Sequence, residues 1–63
     1  MSAAPAYGLA RRRAILEGLL EDARRELAET RKSPDRYERG IEIPRLLAEI
    51  QRLELEIQEI NED

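Results

Sequence analysis

Residues 46–60 read LLAEIQRLELEIQEI, and this stretch decides the fold. Leu46, Ile50, Leu53, Ile57 and Ile60 follow one another at spacings of 4, 3, 4 and 3. That is an a/d heptad seam, with Leu or Ile at every position. Upstream, Leu16, Leu20, Ala23, Leu27 and Thr30 repeat the same spacings. Leu9 carries that register further back, and Arg13 interrupts it. Two helices with one apolar seam each bury those seams most directly against one another.

The two seams stack layer by layer when the helices run in opposite directions. The layers are Thr30 with Leu46, Leu27 with Ile50, Ala23 with Leu53, Leu20 with Ile57, and Leu16 with Ile60. Their residue numbers sum to 76 or 77 in every layer, as an antiparallel pair requires. Small also meets large, as in Ala23 opposite Leu53. The expected fold is therefore all-α: an antiparallel two-helix hairpin, coiled-coil-like, assembling into a four-helix bundle or packing on a partner.

Charge agrees with a chain folded back on itself. Residues 1–40 carry nine basic and seven acidic groups, net +2; residues 41–63 carry two basic and seven acidic groups, net −5. The halves attract. In the hairpin register Arg24 comes opposite Glu54 as an interhelix ion pair, while Glu26 comes near Glu49. A parallel pairing of the second helix with its own copy would set Glu49 against Glu54, a like-charge contact. The partial Ile-at-a, Leu-at-d pattern favours such a parallel dimer, so that pairing stays open as an alternative.

Local signals place the boundaries. Residues 1–8 are small, contain Pro5, and read as a flexible tail. The first helix is expected over 9–31, with Gly18 tolerated inside it at a cost of about 1 kcal/mol. The connection is expected over 32–43. There Ser33 reads as an N-cap before Pro34, and Gly40 as a helix stop. Ile43 is expected to be extended because Pro44 follows it. Pro44 then opens the second helix, 44–60, and 61–63 is a frayed end.

A chain of 63 residues, 40% of them charged, offers few routes to stability beyond packing. With no Cys and no His, disulfides and ordinary zinc sites are excluded, and oligomerisation is the route left. Cysteine-free composition suits the reducing cytoplasm, or an assembly made there. No run approaches the roughly 18 apolar residues of a membrane span, and no apolar leader segment is seen. Four apolar residues lie off the seam: Ile15, Leu19, Leu47 and Leu55. They are read as a second contact face for another copy or another protein.

Reactive chemistry is sparse. The commonest general base and the best neutral-pH nucleophile are missing, and there is no phosphate-cradling glycine loop. The carboxylates lack the Glu-x-x-His motif of bundle metal sites. No catalytic residue, metal or cofactor is assigned. Arg11, Arg12 and Arg13 form the one concentrated basic run and are the candidate nucleic-acid contact. Interleaved acids at Glu17, Glu21 and Asp22 dilute their field. The expected function is a small non-catalytic protein–protein interaction module that oligomerises or serves as a structural or adaptor subunit. The alternative is a dimeric helical-hairpin nucleic-acid-binding regulator using the Arg11–Arg13 region. Tyr37, among charges in the connection, is read as a cap on the hairpin end or a partner contact.

Overall fold

The structure, a computed structural model, describes residues 6–62. Helix α1 spans Ala6–Arg31 and helix α2 spans Arg36–Glu62. The two pack against each other, and no strand occurs among the described residues. At a rise of 1.5 Å per residue each helix is about 40 Å long, and one continuous rod would reach about 95 Å. The long axis measures 53 Å and the cross-section 14 by 12 Å, so the chain is a hairpin.

Side-chain contacts fix the direction of pairing. Arg13 Nη1 donates to Asn61 Oδ1 at 2.6 Å, and Arg24 Nη2 to Glu54 Oε2 at 2.7 Å. Nearer the connection, Arg45 Nη2 lies 3.8 Å from Glu26 Oε2. As position advances along α1, its partner retreats along α2. The arrangement is therefore antiparallel.

The core is one row of side chains per helix. Leu16, Leu20, Ala23 and Leu27 of α1 are buried against Leu46, Ile50 and Leu53 of α2. Leu46 and Leu53 are the most completely enclosed, at 1% exposure. Ala23 lies buried in the same cluster as Leu53, a small residue beside a large one. Ile43, Ile57 and Ile60 pack on the cluster but keep part of their surface in solvent. Thr30 is half-buried at the connection end. Each enclosed Leu or Ile contributes about 1.5–3 kcal/mol of transfer free energy, the main term holding the pair together.

The start of α2 differs from the sequence expectation, and the physical reason is local. The connection is residues 32–35, not 32–43, and α2 begins at Arg36 rather than Pro44. Asp35 is the N-cap: its Oδ1 accepts from the Tyr37 N–H at 3.0 Å and the Glu38 N–H at 3.2 Å. Its carbonyl accepts the first helical bond, from the Arg39 N–H at 3.1 Å. A carboxylate at this position also complements the positive end of the helix dipole. Ser33 is not the cap; its Oγ accepts from the Asp35 N–H at 3.2 Å and so holds the cap residue in place. The Arg39 guanidinium donates to the Ser33 carbonyl. At the other side, the Lys32 N–H to Glu29 and Ser33 N–H to Thr30 bonds, 3.1 and 3.0 Å, tighten the last turn of α1.

Gly40 is accordingly not a stop, Ile43 is not extended, and Pro44 lies inside α2. Proline removes the N–H that would bond the Gly40 carbonyl, a defect costing about 3 kcal/mol in a helix interior. Two interactions on the same turn favour helix in spite of it. Ile43 packs on the core, three residues before Leu46, so the buried seam gains a position only if the turn is helical. Arg45 Nε donates to Glu42 Oε1 at 2.9 Å across the proline.

The ends also differ. Of the expected 1–8 tail, residues 1–5 lie outside the described residues, while Ala6, Tyr7 and Gly8 belong to α1. Of the expected frayed end, Asn61 and Glu62 continue α2, and Asp63 lies outside the described residues. No helix among the described residues is long and apolar enough to cross a membrane.

Candidate interaction surface

The hairpin encloses its seam and leaves other apolar side chains out. Among the described residues, seven side chains form the buried core, and seven large hydrophobic side chains are exposed by 40–78%. The off-seam residues singled out from sequence are all in the second group: Ile15 at 57%, Leu19 at 49%, Leu47 at 45% and Leu55 at 54%.

They do not share one face. Residues seven apart on a helix lie within about 20° of each other. Leu47 is seven residues before Glu54, so it lies on the flank marked by the Arg24–Glu54 bridge. Leu19 is seven residues before Glu26, so it lies on the opposite flank, marked by the Glu26–Arg45 pair, with Ile15 one turn away. Leu55 directly follows Glu54 and points about 100° further round, onto the outer side of α2. The four are thus spread over both flanks and the outer side of α2, because a spacing of four or eight within one helix says nothing about which side of the partner helix it adjoins.

The flank charges are organised by the same geometry. Arg24 and Glu54 keep 59% and 49% of their side-chain surface in solvent, so their bridge orients the helices more than it stabilises them. Glu26 is not left facing Glu49 alone, because Arg45 reaches it at 3.8 Å. Arg45 also binds Glu42, and that hydrogen bond, with the carboxylate's charge, raises the Arg45 pKa above its ordinary value; Glu26 and Glu49 act in the same sense. Within α1, Arg25 bridges Asp22 at 3.2 Å and Glu21 at 3.4 Å; within α2, Arg52 bridges Glu56 at 3.1 Å.

The open end of the hairpin holds the basic run. Neither helix complements its own dipole there: α1 has no acid in its first turn and α2 no base in its last. The pairing supplies the missing charge from across the hairpin. Arg12 lines a shallow concavity with Leu9, Glu56, Glu59 and Ile60. Arg13 binds Asn61. Arg11, Arg12 and Arg13 are all exposed, yet two of the three adjoin α2, whose side chains at this end include the acids Glu56 and Glu59.

No group of three or more Asp, Glu, His or Cys side chains placed to hold a metal ion occurs among the described residues. Tyr37, read from sequence as a cap on the hairpin end or a partner contact, is 78% exposed on α2, and Ile41 is 50% exposed. Assigning 32–43 to a connection hides their place on that helix. The signal that reveals them is the pair Asp35 and Glu38, an acidic cap with Glu three residues later, which starts the helix before Tyr37. Comparison with known proteins returns no match: no protein-family model, no curated protein and no solved structure matches this chain.

Proposed function

We propose that this chain is a non-catalytic protein–protein interaction module. It is a hairpin that associates with its own copies and serves as a structural or adaptor subunit of a larger assembly. Two hairpins packed side by side make a four-helix bundle, in which each helix gains a second neighbour.

One observation carries this reading: large hydrophobic side chains exposed outside the core are as numerous as the residues forming it. A two-helix core of seven side chains is thin for a chain that must also order its backbone. Covering part of the exposed Leu, Ile and Tyr surface adds roughly 25 cal/mol for each Å² removed from water, the same force that closes the hairpin. Mixed charge at the open end supports protein contact over nucleic-acid contact. Arg12 lies with Glu56 and Glu59, so that end does not present an unbroken basic field to phosphate.

Light scattering coupled to size exclusion at micromolar concentration tests the proposal. The expected result is a mass of at least two chains that falls on dilution. A folded monomer at hundreds of micromolar contradicts it. Nucleic-acid binding that weakens steeply with salt and is lost on replacing Arg11, Arg12 and Arg13 by Ala supports the regulator reading instead.

A further inference from the structure

The first two turns of α2 stand clear of α1. Helix α1 ends at Arg31, and Ile43 is the first apolar side chain of α2 that packs on the core. Residues 36–42 therefore run past the end of α1. The long axis agrees, since 53 Å exceeds the roughly 40 Å of either helix. The connection lies beside this projection, tied to it by the Arg39 guanidinium on the Ser33 carbonyl.

The chain's charge changes sign here. Residues 31–39 hold Arg31, Lys32, Arg36 and Arg39 against Asp35 and Glu38, net +2. With a total of −3, the rest of the chain is net −5. Elsewhere Arg24, Arg25, Arg45 and Arg52 all bridge acids. Arg31, Lys32 and Arg36 are exposed, and their side chains have no hydrogen bond or ion pair among the described residues. Asp35 is committed to its own helix, its Oδ1 receiving two backbone N–H groups. Tyr37 and Ile41 add an apolar face. Four residues apart, they point within about 40° of each other, and they are 78% and 50% exposed.

We propose that this projecting end, with Arg31, Lys32, Arg36, Tyr37 and Ile41, docks an acidic segment of another protein, one with an aliphatic or aromatic side chain among its carboxylates. The inference rests on the adaptor part of the reading above and names the chemistry of the partner. Charge complementarity selects that partner, because three cations here lack a carboxylate and arginine binds one with two parallel hydrogen bonds. Tyrosine and arginine are also the side chains that most often anchor interfaces. The cross-section of the rod, 14 by 12 Å, is spanned by about four residues of extended chain at roughly 3.3 Å each. One short segment therefore covers the end.

The net negative charge of the chain does not oppose this contact. Glu56, at the open end, is 20 residues from Arg36, about 30 Å along α2. The screening length at physiological salt is about 8 Å, so the projecting end acts on its own. A protein segment suits the end better than a nucleic acid does. Ile41 offers aliphatic surface that phosphate and bases do not reward, and Glu38 interrupts the basic field on the same turn.

Two bead libraries of twelve-residue peptides test the inference. One has four Asp or Glu and two Leu or Phe in random order; the other has Lys or Arg in place of the acids. The unaltered chain should be retained by the first and not by the second. Binding of the selected acidic peptides, read by fluorescence anisotropy, should weaken at least about tenfold in an Arg31→Ser/Arg36→Ser variant. An Arg11→Ser/Arg12→Ser variant should keep it. All four side chains are exposed, and circular dichroism establishes that each variant is helical. Should the Arg31→Ser/Arg36→Ser variant unfold, amide resonances of the unaltered chain replace it. The acidic peptide should move those of residues 31–41, and movement confined to residues 9–16 overturns the site. Equal retention by both libraries, or by neither, overturns the inference, while oligomers seen by light scattering leave the self-association reading standing. If a twelve-nucleotide oligothymidine binds through Arg31 and Arg36 and the acidic peptides do not, the ligand is nucleic acid and the protein-contact reading fails at this end. If resonances of 31–41 move on concentrating the chain alone, the occupant is a second copy; the inference then fails and self-association stands.

Discussion

Neighbouring leucines in this chain have opposite fates, and the difference is only angular. Leu19 and Leu20 are adjacent, yet Leu19 is 49% exposed and Leu20 is 9% exposed and in the core. Leu20→Ala should cost about 2–5 kcal/mol, because it removes contacts and leaves a cavity that rigid neighbours cannot close. Leu19→Ala should stay within about 0.5 kcal/mol. Urea unfolding followed by circular dichroism, at one fixed protein concentration, measures both. Equal costs would mean that the seam is assigned one residue out of register. At this scale the sequence was highly legible. Leucine and isoleucine at a strict 4,3 spacing can share one side of a helix in only one way, and the opposed numbering of the two seams then pairs them. Arg24 beside Glu54 follows from that same register. The partner of Glu26 was not legible, because Arg45 reaches it from outside the flanking column, a matter of side-chain length rather than spacing.

The second helix shows a local rule overridden by its surroundings. The residue before a proline is biased away from helix, and reading Ile43 by that rule alone moves the helix start to Pro44. Asp35 and the core outweigh it: the cap satisfies two N–H groups, and a helical turn at Ile43 adds an apolar side chain to the seam. Two substitutions in this helix should therefore change stability in opposite directions. Asp35→Ala should destabilise by about 1 kcal/mol, with Asp35→Asn retaining most of the capping. Pro44→Ala should stabilise, by up to about 3 kcal/mol, as the Gly40 carbonyl regains a donor. Thermal melts of the three variants against the parent at equal concentration check the signs. A stabilising Asp35→Ala would show that α2 does not begin where the cap places it. The acidic cap was present in the sequence as Asp35 and Glu38. It was masked by Ser33-Pro34, an equally regular start signal two residues earlier.

The whole molecule follows from where charge and apolar surface are excluded. Net charges of opposite sign in the two halves draw the ends together, and the seams then exclude water along the full contact. What the hairpin leaves over is a set of exposed Leu, Ile and Tyr side chains and a mixed-charge end. The hairpin itself could be read from the sequence, because pairing within one chain is set by periodicity. The outer surface could not be read in the same way. Its residues are assigned to one side only after the helix start is known, and the start depends on packing that no single stretch encodes.

Which side chains are exposed depends on α1 and α2 of one molecule lying head to tail. The most direct test is the distance between spin labels at Arg13→Cys and Asn61→Cys, measured by pulsed electron resonance with the labelled chain diluted in excess unlabelled chain. These positions are 48 residues apart in sequence, and their side chains meet at 2.6 Å. The hairpin predicts a single label separation below about 20 Å, allowing for the label arms. A separation near 70 Å, as a continuous helix rising 1.5 Å per residue would give, contradicts it.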